Sequence, residues 1–219
     1  MMTKKLLRLL LTAVLLNAAS GQAALVSSWN FTTAGLPSNA SSQDPNVAGS
    51  PTLSVSGGSA GFVVSGGNLQ GGFGNGNVSI INGTVFTFLI QVSGANFSDF
   101  TTSYDVGFQK ITGLTGTWSY QVNNLGFNVV GTSQSITAGA NSDSLAGIAV
   151  GTGNTLTLRY TLSGAVADPG SGNLTFDNFT INAGSITPVP EPTAWAAGIF
   201  SGIFALGLVG QSVRKRLKK

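Results

Sequence analysis

Cysteine and histidine are both absent from the 219 residues. The first absence excludes disulfides, thiolate metal sites and cysteine nucleophiles. The second excludes every mechanism built on an imidazole base. Charge is also scarce, at 8% of residues against ~25% in ordinary soluble domains. The small positive balance belongs to the ends: Lys4, Lys5 and Arg8 at one, Arg214, Lys215, Arg216, Lys218 and Lys219 at the other. Between them lie two bases, Lys110 and Arg159, against six aspartates: Asp44, Asp99, Asp105, Asp143, Asp168 and Asp177. The body is therefore mildly acidic, and no basic stripe exists to hold a phosphate backbone, which excludes nucleic acid as a partner. Hydrophobic residues make up 42% and glycine supplies 31 residues. That hydrophobicity argues against long disorder. Without disulfides the fold must rest on its packed core, which a body of about 160 residues can supply by burying ~70% of its unfolded surface.

The two ends have the composition of addresses. Residues 1–23 run from a basic start through the apolar stretch Leu6–Leu16 to the small residues Gly21 and Ala23. This is the pattern of a secretory signal peptide, which makes the general secretion machinery a partner. Cleavage is expected after Ala23; cleavage after Ala24 would put Gln22 at the less tolerant position. The apolar stretch is short of the ~20 residues of a span. At the other end, 194–213 carries no charge. Twenty helical residues reach ~30 Å, about one hydrocarbon core, so a single transmembrane helix is expected there. Trp195 stands where an interfacial aromatic belongs, and the basic tail 214–219 stops transfer and stays inside.

A plain single-span anchor would explain the apolar run and the tail. It would not explain Val189-Pro190-Glu191-Pro192 just before them. Proline bars helix there and biases its predecessor toward an extended form, leaving an exposed peptide that a processing enzyme can read. Residues 189–219, "VPEPTAWAAGIFSGIFALGLVGQSVRKRLKK", resemble the PEP-CTERM sorting signal of exported proteins in Gram-negative bacteria that make exopolysaccharide. The resemblance covers the Val-Pro-Glu-Pro opening, the Trp just inside, the Gly-rich span and the Arg-containing tail. It implies a sorting unit over 188–219, read by the membrane enzyme exosortase, with loss of the span and tail. It also implies delivery to the cell surface or extracellular matrix, and a non-enzymatic structural or adhesive role among extracellular polysaccharide.

The body, 24–187, alternates with period two. Phe86, Phe88, Ile90 and Val92 share one parity in 84–92, and Phe100, Thr102, Tyr104, Val106 and Phe108 share one in 100–109. Trp118, Tyr120 and Val122 align in 117–122; Leu156, Leu158, Tyr160 and Leu162 align in 155–163, with Arg159 outward. Such alternation predicts half-buried strands of antiparallel sheets. Further strands are expected at 25–32, 52–56, 61–65, 78–81, 126–136 and 173–182, with Gly-rich connections at 66–77 and 163–173. The pattern predicts an all-β antiparallel sandwich, jelly-roll-like. In 173–181, Leu174 and Phe176 share one parity and Phe179 and Ile181 the other. An extra residue at Asp177-Asn178 would bury both pairs, as a β-bulge does. The opening "LVSSWNFTT" and closing "LTFDNFTINAG" loosely resemble the first and last strands of jelly-roll passenger domains in PEP-CTERM proteins, some akin to carbohydrate-binding modules, and a carbohydrate-binding module is the alternative role.

Little else carries chemistry. A glycosidase needs a carboxylate pair; Asp99 and Asp105 share the solvent parity of their strand instead. Asp168, Asn173, Asp177 and Asn178 lie near one loop and bulge and could be oxygens for calcium, although Asp168-Pro169-Gly170 as a turn and Asp177 as a bulge residue is the stronger expectation. "GGFGNGN" lacks the Lys-Ser/Thr ending of a phosphate loop. Trp29 and Trp118 are the aromatics that could stack on sugars, with core packing the stronger expectation for Trp118. No cofactor and no catalytic residue is expected.

Overall fold

This computed structural model describes residues 23–32, 35–58, 61–73, 81–167 and 172–189. The chain divides into two compact units between Thr187 and Pro188. The signal peptide, the motif beyond Val189, the expected transmembrane helix and the basic tail lie outside the described residues. Among the described residues every regular element is a strand, and no helix is long and apolar enough to cross a membrane.

The strands are β1 (Ala24–Trp29), β2 (Ser38–Asn39), β3 (Ser42–Gln43), β4 (Val47–Ser56), β5 (Val63–Ser65), β6 (Asn68–Phe73), β7 (Val85–Val92) and β8 (Ala95–Phe108). Then follow β9 (Ile111–Thr112), β10 (Thr115–Val122), β11 (Asn128–Ser135), β12 (Gly139–Val150), β13 (Thr155–Ser163), β14 (Val166–Ala167) and β15 (Gly172–Pro188). One sheet runs β12-β8-β15-β1-β3, with β6 also on β15 and β5 on β6; the other runs β11-β10-β13-β7-β4-β2. Every registered pair is antiparallel, for example Trp29 opposite Phe179 and Trp118 opposite Tyr160. The opening strand thus pairs with the closing one. β1 begins at Ala24, the residue that cleavage after Ala23 would leave at the amino terminus.

The two sheets bury their apolar parities against each other, as a sandwich does. Phe86, Phe88 and Tyr160 of one sheet and Trp29, Phe176 and Phe179 of the other have no solvent exposure. Rings pack across the interface: Phe86 with Phe176 at 4.9 Å, Phe88 with Phe179 at 5.1 Å, and Trp29 edge-on to Phe88 at 5.1 Å. Such pairs add to plain area burial through their edge and offset geometry. The four alternating segments 84–92, 100–109, 117–122 and 155–163 all form strands with the expected faces inward, while Thr157, on the outer parity of its strand, is buried as well.

The phase slip is resolved as expected. Leu174, Phe176, Phe179 and Ile181 are all fully buried, and Asn178 between them has φ 50°. An asparagine tolerates that left-handed conformation better than most residues. Two expectations need correction. The Gly-rich segment 66–77, taken as a connection, contains β6, whose Gly71 and Gly72 pair with Leu174 and Asn173. The strand β12 is absent from the period-two pattern. It carries a register shift between Leu145 and Ala149, with Gly147 at φ 83°. The bulge puts Leu145 and Ile148 on opposite parities although both are buried.

Candidate functional site

Polar groups gather at several places, and two of them involve the strand faces. The first is the outer face of the six-stranded sheet. Cross-strand partners share a face, so the register reads out its rows directly. One row runs Val129, Ser119, Arg159, Thr87, Ser54 across β11, β10, β13, β7 and β4. The next runs Gln121, Thr157, Leu89, Thr52. Thr155 and Gln91 begin a third. Hydroxyl, amide and short aliphatic groups therefore cover this face, and Arg159 is its only charge. The Arg159 guanidinium carbon stands 3.7 Å above the centre of the Phe127 ring, in a cation–π contact. Phe127 sits where the chain turns from β10 into β11. Leu125 and Val129 beside it in sequence are exposed, at 85% and 68%. Leu89 is also open, at 46%. The Gln121 amide donates to Asn124 Oδ1 at 3.0 Å, which leaves its carbonyl oxygen for a ligand.

The second place is the seam where the edge strands β11 and β12 approach. A cleft of about 220 Å³ opens there, lined by Trp118, Val130, Thr132, Gln134, Asp143 and Ser144 among others. Asp143 lies in register with buried Thr102 and so points between the sheets. Its Oδ2 accepts from Trp118 Nε1 and from the Tyr104 hydroxyl, both at 2.8 Å. The Tyr104 and Tyr160 hydroxyls share a further bond of 2.6 Å. Burial pushes the Tyr104 hydroxyl well above the ordinary phenol range, and the neighbouring Tyr160 and Asp143 push the same way. Burial also raises Tyr160, with Asp143 adding to it and the Tyr104 bond acting against it. Three polar tips of the core, two phenols and an indole, thus find partners through one carboxylate. An inward charge on an edge strand also deters strand addition. This cleft is accounted for as structure.

The described members of the calcium constellation, Asn173, Asp177 and Asn178, do not converge on one point. Asn173 and Asp177 are four residues apart on the continuous strand β15, about 13 Å at ~3.3 Å per residue, too far to share an ion bound at ~2.5 Å. Asp177 Oδ1 accepts from the Asn178 backbone N–H, and the Asn178 amide donates to Asp105 Oδ2 at 2.8 Å. Asp168 lies outside the described residues. Among the described residues no group of three or more acidic side chains could hold a metal ion. Asp99 is exposed, as its parity predicts, and caps the β12 bulge by accepting from the Gly147 N–H at 3.2 Å. Trp29 and Trp118 are both core residues and present no ring to solvent. Of the sorting motif only Val189 is described, and it is exposed. Sequence reasoning found Arg159 as an outward residue but missed its partner Phe127, which falls inside the expected strand 126–136 and in the structure lies just before β11 begins at Asn128.

No protein-family model matches the chain, and no curated protein matches it. Solved structures of similar fold include a CBM4 structure, 11% identical with TM-score 0.40, covering 73% of this chain and 97% of that one. They include the N-terminal cellulose-binding domain from Cellulomonas fimi beta-1,4-glucanase C, 15% identical with TM-score 0.37, covering 60% and 88%. The CBM22-1 xylan-binding domain from Paenibacillus barcinonensis Xyn10C is 14% identical with TM-score 0.36, covering 76% and 97%. These likenesses are remote in both sequence and superposition.

Proposed function

We propose that the chain is an exported, non-catalytic polysaccharide-binding protein whose jelly-roll-like sandwich binds glycan on the outer face of its six-stranded sheet. The observation that carries this is the composition of that face: a broad run of hydroxyl and amide groups around one stacked guanidinium, with no acid among them. Such a surface offers many hydrogen bonds to sugar hydroxyls and nothing to split a glycosidic bond. Delivery is the task of the ends. The secretion machinery exports the chain through its amino-terminal signal. Exosortase reads Val189 to Pro192 and removes the span and tail, leaving the sandwich among extracellular polysaccharide of a Gram-negative bacterium.

Affinity electrophoresis of the purified protein through gels containing single polysaccharides tests the binding. At least one polysaccharide should retard the wild type, and Gln121→Ala combined with Phe127→Ala should restore free mobility without lowering the melting temperature by more than a few degrees. Retardation that is unchanged in the double variant would place the ligand elsewhere.

A further inference from the structure

The charges of the sandwich are sorted by sheet. Four aspartates lie in strands of the seven-stranded sheet: Asp99 and Asp105 in β8, Asp143 in β12 and Asp177 in β15. That sheet's strands hold no lysine or arginine. The six strands of the other sheet hold one charged residue in all, Arg159. We infer that the polysaccharide bound by this face is acidic, its carboxylate or sulfate groups held by Arg159; the inference rests on the binding reading above.

Three physical points carry it. The first is the lack of an internal partner. Arg159 has Ser119 and Thr87 beside it in register, and no carboxylate shares its face. Its charge is not consumed by a structural ion pair within the sheet. The second is preorganisation. The Phe127 ring, 3.7 Å from the guanidinium carbon, anchors the head group in one place, and none of its N–H groups is used in a hydrogen bond to a carboxylate of its own sheet. Arginine matches carboxylate and sulfate oxygens in a two-pronged way. Less side-chain freedom is then lost when the ligand arrives. The third is screening. Stacked sheets lie ~10 Å apart and outward side chains add to that. The Debye length at physiological salt is ~8 Å. The outward aspartates of the far sheet are therefore weakly felt at Arg159, and Asp143, which reaches this sheet at Trp118, lies on its inner side, held by the Trp118 indole and the Tyr104 hydroxyl.

A neutral glycan fits the same face less well. Stacking on a sugar ring needs a bare aromatic face, and Arg159 covers one face of Phe127. Among the described residues the other part-exposed rings, Phe62, Phe108 and Tyr120, pack against the core. Trp29 and Trp118 are buried. What remains open is aliphatic: Leu89, Leu125 and Val129. Hydrogen bonds and one charge must then supply recognition.

The test compares matched polymers by affinity electrophoresis of the purified protein: polygalacturonate against its fully methyl-esterified form, and dextran sulfate against dextran. The wild type should bind at least one acidic polymer ten-fold or more tightly than its neutral counterpart, and raised salt should weaken that binding. Arg159→Gln should abolish the preference, and Arg159→Lys, which keeps the charge but not the fork, should retain part of it. Both variants should keep the wild-type melting temperature within a few degrees, since the side chain is exposed. Equal binding of acidic and neutral polymers, or an acidic preference that survives Arg159→Gln, overturns the inference and leaves polysaccharide binding standing. No retardation by any polymer of a wider neutral and acidic panel overturns both.

Discussion

Asp143 shows how one residue can settle several demands at once. Trp118, Tyr104 and Tyr160 are valued in a core for their area, yet each brings a polar tip that must be paired when buried. One carboxylate oxygen takes the indole and one phenol, and the second phenol bonds to the first. Asp143→Ala would leave two buried donors without an acceptor, at about 1–3 kcal/mol each. Asp143→Asn keeps an acceptor oxygen and should lose less than half as much; urea unfolding of the two variants checks the order. The tyrosines add a pH dependence. Both hydroxyls are raised in the folded protein, so the folded state holds protons that the unfolded state releases from about pH 10 upward. Their contribution is complete below about pH 10 and is lost as pH rises beyond it. Unfolding free energy measured from pH 8 to 11 should fall at the alkaline end, and Tyr104→Phe should flatten that fall.

At the scale of elements, the irregularities decide the faces. In β15 the bulge residue Asn178 lets Phe176 and Phe179 both enter the core, where their rings stack at 5.6 Å. Its positive φ favours glycine or asparagine over a β-branched side chain. Asn178→Gly should cost under about 1 kcal/mol, and Asn178→Val about 2 kcal/mol or more, read from thermal or urea unfolding. This bulge was legible from parity alone because the apolar residues on its two sides are bulky: Leu174 and Phe176, then Phe179 and Ile181. The β12 bulge was not. There the slip falls between Leu145 and Ile148, the first half of the strand is Ser, Asn and Asp, and only three large apolar residues remain to show a period. A strand whose outer half is polar on both faces leaves no alternation to detect. The same limit hid β6, where glycines replace the side chains that would mark a face. The candidate site was legible in part. Arg159 was visible as an outward residue of an alternating strand, whereas its pairing with Phe127 depends on how a turn brings residues 32 apart in sequence into contact.

For the whole molecule, the separation of roles is sharp. The basic pI of about 9.5 comes from two terminal clusters, while the sandwich carries the opposite charge. Within the sandwich, acid lies in one sheet and the single strand-borne cation in the other. The acidic side chains Asp99, Asp105 and Asp177 secure bulges and strand neighbours through bonds to Gly147, Asn178 and the Asn178 backbone. The other sheet's outward residues carry hydroxyl and amide groups and no acid, with internal bonds confined to a few pairs such as Thr115 with Ser163 and Gln121 with Asn124. The sorting reading makes its own prediction at this scale: intact mass of the protein from producing cells should lack residues 194–219, and should regain them in cells without exosortase.

The central claim is that this open face is the binding surface. Its most direct test is a titration of the isotopically labelled protein with an oligosaccharide cut from a polysaccharide that retards it, followed by amide chemical shifts. The predicted result is a contiguous set of shifts at Ser119, Gln121, Thr157, Arg159, Thr87 and Leu89. Shifts confined to β8, β12 and β15 would contradict it.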